Sequence, residues 1–520
     1  MTRIALLAMA LVGLAQGAGL VTAIPDAKAD AMDGETKGLP IADALAEIDA
    51  IAADIMAQTG VPGMAVAVVH GGETVFARGY GVRERGKPGA VAPDTVFQIA
   101  SLSKSLAATV VAHEVGAGRV AWTTPVKSLL PWFELSDPWV SGKVTIGDMF
   151  SHRSGLPDHA GDYLETIGFN RREILERLDA FPLAPFRVTY GYTNFGLTAA
   201  AEAVATAAGR DWESLSQAVL YEPLAMRRTS SRLADFLAHE DRAIGHVMMD
   251  GAFVPYRSRE PDAQSPAGGA SSTVEDFAKW MTMMLGEGRL GANVIVEKDA
   301  LLPAMTAQMI TRPAAAAGSL PGFYGFGIGV RAGADGNISI SHSGAFILGA
   351  GTNYTLLPDE DVGIVTFVNA APTGAAEALN QTFVDLVRYG APQRDWGAFM
   401  KEQFVPLTAV VGTFANDPAP AGDAPAIAQL TAYVGTYGNA LFGEARVSVE
   451  DGELTLSVGP AGQRFTLTYR GDHTFSMPVF TEFHPHGSTT AVTFQEPQDG
   501  LSPSVVVEFL NEHGLGTFAR

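Results

Sequence analysis

Ser101 opens the only S-x-x-K tetrad in the chain, Ser101-Leu102-Ser103-Lys104, directly after the apolar run Val96-Phe97-Gln98-Ile99-Ala100. A serine hydroxyl becomes a useful nucleophile only when a neighbouring base takes its proton. Leu102, Leu106 and Val110 recur at helical spacing until Gly116 and Gly118 break the pattern, so the spacing predicts a helix starting at Ser101. Residues i and i+3 of a helix share a face. The Lys104 amine would then sit one turn from the Ser101 hydroxyl, at the helix end that favours developing negative charge. The tetrad alone carries little, because about half a match is expected by chance in a chain of this composition. Ser101 could equally serve as an N-cap.

Two further groups of residues add weight. Tyr192-Thr193-Asn194 lies in the glycine-punctuated stretch Tyr190–Gly196, ahead of a helical run from about Leu197. In an extended loop the phenol and the carboxamide, two residues apart, point the same way. Ile338-Ser339-Ile340-Ser341 alternates as a strand and runs into His342-Ser343-Gly344, a candidate cleft wall. Tyr437-Gly438-Asn439 and His70-Gly71-Gly72 fit the same short patterns, and both read as turns.

Taken in order with their flanking phrases, these motifs make the chain similar to the penicillin-recognising serine hydrolases. That group includes class C β-lactamases, D,D-peptidases, D-aminopeptidases and related esterases. The resemblance rests on Phe97–Lys104, Ser151-His152-Arg153-Ser154-Gly155-Leu156-Pro157 and Tyr192-Thr193-Asn194. It continues through Glu222–Met226, Pro266–Ala270, Tyr324-Gly325-Phe326-Gly327 and His342-Ser343-Gly344, covering roughly residues 45 to 375. It implies that Ser101 is acylated, Lys104 shares its proton, Tyr192 is the second proton-transfer group, and Asn194 orients Lys104 and a substrate amide. The backbone N–H groups of Ser101 and Ala345 would form the oxyanion hole. Many β-lactamases carry Lys-Thr-Gly where this chain has His342-Ser343-Gly344. His342 would supply at most a partial charge, with activity varying between about pH 5 and 8, or else would only hold the strand edge through a hydrogen bond. The His-x-Gly form is similar to that of D-aminopeptidases and some esterases of the group.

The expected activity is therefore that of an exported serine hydrolase forming an acyl-enzyme on Ser101 and acting on small or D-residue-containing peptides. Esterase or β-lactamase activity is the alternative. A non-catalytic binder of cell-wall peptides is the third reading, and intact Ser101, Lys104 and Tyr192 oppose it. Expected partners are a small peptide, amide or ester substrate, with a homo-oligomer of this chain left open. No cofactor and no metal is expected. His152, Asp158 and His159 cluster in sequence without a well-spaced third ligand. His113 and His484-Pro485-His486 read as structural, and Met281, Met283 and Met284 as a core stripe. The motifs G-x-S-x-G, H-E-x-x-H, Walker A and G-x-G-x-x-G after a strand are missing.

These residues need elements to hold them. At 520 residues and 47% hydrophobic content the chain can bury more than one core. A formal net charge of -21 disfavours nucleic acid and anionic membranes. The absence of cysteine excludes disulfides and thiolate catalysis. Arg3, the apolar stretch Ile4 to Val21 and Ala27-Lys28-Ala29 read as a secretory leader over residues 1–29. That predicts a periplasmic or secreted protein without a membrane segment after cleavage. The expected fold is α+β. A β-lactamase-like domain over 40–400 would pair early strands (Met64 to Val69, Thr74 to Ala77) with late ones (Gly325 to Val330, Ile338 to Ser341, Thr352 to Leu357, Val362 to Val368), flanked by helices at Ile41 to Ala57 and Ala375 to Tyr389 and a helical region from about 105 to 320. A linker over 401–428, centred on Asn416–Pro425, leads to an all-β barrel or sandwich over 429–520. That last part resembles the lipocalin-like domain attached to some peptidases of the group. Each side of the linker is expected to own its core.

Overall fold

The computed structural model describes residues 38–256, 258–316, 319–333, 336–417 and 427–520. The expected leader and most of the Asn416–Pro425 segment lie outside the described residues. Among the described residues no helix is long and apolar enough to cross a membrane.

One antiparallel sheet is built from β1 (Gly63–His70), β2 (Glu73–Gly81), β3 (Met309–Arg312), β4 (Gly322–Tyr324), β5 (Gly329–Ala332), β6 (Ile338–Phe346), β7 (Ala350–Leu357) and β8 (Val362–Val368). Across the sheet the order is β2-β1-β8-β7-β6-β5-β4-β3. Early and late strands meet where Met64 lies opposite Val368. The main helices are α1 (Ile41–Thr59), α2 (Ser103–Gly116), α3 (Asn194–Ala208), α4 (Val274–Leu285), α5 (Ala375–Tyr389) and α6 (Trp396–Thr408). β1 is a continuous apolar run because it is covered on both faces. Met64, Val66 and Val68 pack with Ile48 of α1, Phe383 of α5 and Phe404 of α6. On the opposite face Phe277 of α4 meets Tyr354 and Phe367.

Three local departures from the expected elements have physical causes. α2 begins at Ser103, and Ser101 lies in a preceding 3₁₀ turn over Ala100–Leu102. Ala100 takes a left-handed φ of 48°, which bends the chain sharply out of the preceding strand. The expected strand Gly325 to Val330 is interrupted, because residues 325–328 bulge against the helical side. A Cβ on Gly327, itself at φ 67°, would stand 2.5 Å from the Lys104 carbonyl oxygen. Residues 401–408, expected in the linker, continue α6, where Trp396, Met400 and Phe404 recur every four residues and enter the core with α1 and α5.

The described chain forms two compact units that do not follow sequence order. One contains the residues up to Pro131, Trp139–Asp158 and Ala184–Thr408; the other contains Trp132–Pro138, His159–Leu183 and Ala409–Arg520. The second unit is organised on a closed eight-stranded barrel of β9 (Gly435–Asn439), β10 (Gly443–Glu450), β11 (Glu453–Val458), β12 (Gln463–Gly471), β13 (Thr474–Pro478), β14 (Thr489–Phe494), β15 (Ser504–Val507) and β16 (Thr517–Ala519). Gly438 opposite Ala519 closes it. Tyr437-Gly438-Asn439 is therefore a strand and not the expected turn; Tyr437 is fully buried and donates its hydroxyl to the Tyr433 carbonyl at 2.7 Å. Alternate positions such as Leu456, Met477, Val492 and Val505 point inward and fill the barrel. The segment His159–Leu183 belongs to this unit. The Tyr163 ring lies tilted 5.2 Å from that of Phe483, Phe181 lies 5.7 Å from His513, and the Ala461 N–H donates to the Ile167 carbonyl at 3.4 Å. The barrel's core thus includes chain from before the linker, contrary to the expectation that each side owns its own.

Candidate active site

The 3₁₀ turn and α2 bring the S-x-x-K pair together. Lys104 is fully buried, and its amine donates to Ser101 Oγ at 3.0 Å, Asn194 Oδ1 at 2.7 Å and the Ala267 carbonyl at 2.9 Å. These oxygens accept from the N–H groups of an ammonium. The same geometry lets a neutral amine accept the Ser101 proton, since heavy atoms at 3.0 Å are within transfer reach. Asn194 is the first residue of α3. Tyr192 lies 5% exposed with the Lys104 ammonium 4.6 Å from its ring centroid.

The loop carrying Tyr192 is held by the 152–158 turn. Asp158 accepts from the Tyr192 N–H at 2.5 Å, His152 Nδ1 accepts from the Thr193 N–H at 3.2 Å, and the His152 carbonyl accepts from the Gly191 N–H at 2.9 Å. A Cβ on Gly191 would come 2.4 Å from the Leu156 carbonyl oxygen, so only glycine allows this approach. His152 is thus a brace, with its ring 4.5 Å from that of Tyr192. His159 pairs with Asp162 instead. Among the described residues no group of three or more His, Cys, Asp or Glu could hold a metal ion.

His342 stands on β6 with its ring 6.5 Å from Tyr192. Its Nδ1 donates to the Ser343 carbonyl at 2.6 Å, which leaves Nε2 to accept from the Tyr324 hydroxyl at 2.7 Å. Burial, and then the nearby Lys104 charge, push its pKa down to about 3. His342 is therefore neutral across the physiological range, and the expected partial charge between about pH 5 and 8 is absent. Burial likewise holds the Tyr324 phenol protonated far above its ordinary value. The pH–activity profile of His342→Gln should keep the wild-type inflections between about pH 5 and 8; an inflection lost with the imidazole would contradict this assignment. The folded-state value lies below the ordinary one of 6.5, so the unfolded chain binds the proton first as pH falls. His342 accordingly supports the fold above about pH 6.5 and withdraws that support as pH falls towards about 3.

The ladder between β5 and β6 ends at Ser341, and the β6 backbone from His342 onward continues past it, paired on its other side with β7 as far as Phe346. Gly344 meets the Ser101 turn here. A Cβ on it would lie 2.4 Å from the Ile99 carbonyl oxygen, 2.4 Å from Thr352 Oγ1 and 3.0 Å from the Ser101 nitrogen. Thr352 ties the same two segments by donating to the Ile99 carbonyl at 2.9 Å. Gly344→Ala must push β6 away from Ser101, and displacements near 1 Å commonly cost about a hundredfold in rate. A loss of about that size in kcat/KM is expected, with a destabilisation of about 1–3 kcal/mol from overpacking. Wild-type kcat/KM in the variant would show that this approach is not needed.

The sequence reading missed Ala267, Tyr324 and Asp158 as partners of the site. Tyr324 and Ala267 lie inside phrases that carry the resemblance, but nothing in their spacing says which atoms they would meet. Tyr190 also borders the site; its buried hydroxyl makes no hydrogen bond among the described residues, and its ring lies 5.8 Å from His152.

A buried lysine bridging a serine and an asparagine between a mixed helical region and an antiparallel sheet defines a serine hydrolase of the β-lactamase type. The chain belongs to the Beta-lactamase family, whose profile matches residues 48–389. Residues 419–508 match a "Domain of unknown function (DUF3471)". An unguisins hydrolase of Aspergillus campestris is 29% identical over 364 residues, 66% of this chain and 65% of that protein. Penicillin-binding protein 4 of Amycolatopsis lactamdurans is 29% identical over 238 residues, 44% of this chain and 60% of that protein. The chain thus spans just under two thirds of the length of these relatives. The octameric penicillin-binding protein homologue from Pyrococcus abyssi shares the fold, with a TM-score of 0.60 at 19% identity over 89% of this chain and 97% of that one.

Proposed function

We propose that Ser101 is the nucleophile and that the protein hydrolyses small peptides, including D-residue-containing ones, through an acyl-enzyme. The observation that carries this reading is the fully buried Lys104 amine 3.0 Å from Ser101 Oγ. In the proposed cycle Lys104 takes the hydroxyl proton as Ser101 attacks the carbonyl. Tyr192 then passes its phenol proton to the leaving amine and regains one from the deacylating water as that water attacks, while Lys104 returns its proton to Ser101 Oγ. The N–H groups of Ser101 and Ala345 bind the oxyanion, a role supported by the close approach of Gly344 to the Ser101 nitrogen. Asn194 holds Lys104 in place. Ser343 and Gly344 shape the wall beside His342.

A neutral His342 supports peptides, amides and esters over penicillins, whose carboxylate finds no cation at this position. Esterase or β-lactamase activity is the second reading. The leader-like N-terminus supports export to the periplasm or beyond, and assembly of several copies is compatible with the octameric structural neighbour. A panel of peptides, D-amino acid amides, short-chain p-nitrophenyl esters and nitrocefin tests the reading. Peptides and D-amino acid amides should give the highest kcat/KM; a ranking headed by nitrocefin would replace the proposal with a β-lactamase.

A further inference from the structure

Behind the wall made by His342-Ser343-Gly344 lies a carboxyl group that the proposed cycle does not use. Successive residues of β6 face opposite sides. Gly344 looks towards Ser101, and His342 towards the Lys104 and Tyr192 side. Ser343 looks the other way, towards α5, where its hydroxyl donates to Glu377 Oε1 at 2.7 Å. Asn353 on β7 donates to Ser343 Oγ at 2.9 Å, Asn380 on α5 donates to Asn353 Oδ1 at 2.6 Å, and Thr366 on β8 donates to Asn380 Oδ1 at 2.6 Å. Every donation in this relay runs the same way, from Thr366 through Asn380, Asn353 and Ser343 to the Glu377 carboxyl. An oriented chain of donors ending on an acceptor stabilises negative charge there. Glu377 is 6% exposed, and among the described residues no cation pairs with it.

We propose that Glu377 selects against substrates bearing a carboxylate beside the scissile bond, so that the leaving side is an amide, an ester or an internal peptide segment. This rests on Ser101 being the nucleophile and on a leaving group that runs along the β6 edge next to Ser343. With His342 neutral, the wall carries an acid in place of a base. A substrate carboxylate near Ser343 would meet a like charge through a poorly screening interior, worth about tenfold or more in discrimination. Burial raises the Glu377 pKa to about 7, against the opposing pull of the Ser343 hydrogen bond. The carboxyl is therefore ionised in mildly alkaline solution.

The test uses a matched pair of dipeptides built on the best acyl group from the substrate panel, one ending in a free carboxylate and one in its amide, assayed at about pH 8.5. The wild type should prefer the amide by about tenfold or more in kcat/KM, and Glu377→Gln should cut that ratio by about tenfold. A wild-type ratio near one, or below it, overturns the proposal whether or not the variant folds. So does an unchanged ratio in a Glu377→Gln protein whose Ser101 still reacts with a phosphonate probe. Failure of the wild-type Ser101 to take up the probe would instead sink the nucleophile assignment on which the proposal rests.

Discussion

Ser101→Ala is expected to lower kcat/KM by at least about a thousandfold while leaving a folded protein, because the residue is the proposed nucleophile and supplies little of the packing. Its hydroxyl is one of the acceptors around Lys104; Asn194 and the Ala267 carbonyl remain when it goes. The loss in stability should therefore resemble that of a single hydrogen bond, about 1 kcal/mol. The wild type should gain the mass of a serine-directed phosphonate and the variant should not. Activity surviving in Ser101→Ala, or labelling at another residue, would move the nucleophile elsewhere.

The parts of this site that were legible in the sequence are those fixed by short spacing. Ser101 and Lys104 meet because they are three residues apart, even though the helix starts two residues later than its apolar period suggests; the 3₁₀ turn keeps them one turn apart. The sheet was legible because β1 and β8 are apolar runs of strand length that have to be covered on both faces. What could not be read was long-range and atom-specific. The sequence offers no sign that the Ala267 carbonyl would accept from Lys104, or that Tyr324 would occupy His342 Nε2 and leave the imidazole uncharged. The charge of His342 departs from its residue type for that reason: an unperturbed histidine is partly charged near neutrality, and burial and the Lys104 charge remove this. In the barrel, Val and Phe alternation marked most strands, whereas Tyr437-Gly438-Asn439 carried two turn-forming residues and was outweighed by closure of the ring at Gly438. The membership of His159–Leu183 in the barrel unit was hidden because helix period reports that a face is buried without saying against what.

That membership governs the second large effect. Removing residues 409–520 should give a protein that accumulates poorly and reacts with the phosphonate probe at less than about a tenth of the wild-type rate. Leu164, Ile167, Phe169 and Phe181 are buried, and their unit is organised on the barrel. Exposing each costs about 1.5–3 kcal/mol, and four of them approach the whole stability of an ordinary domain. The damage should not stop at solubility. His159, the first residue of the segment, follows Asp158 directly in the chain, and Asp158 accepts the N–H of Tyr192. A segment that has lost its packing leaves Asp158 tethered on one side only, so Tyr192 would lose the fixed position that its proposed proton transfer to the leaving amine requires. Proteolytic cutting within the Asn416–Pro425 segment, with both pieces left in solution, should be far milder, because the packing around Tyr163 and Phe483 can hold the pieces together. A soluble truncated protein acylated at the wild-type rate would show that the barrel is dispensable and that the 159–183 segment finds its fold without it.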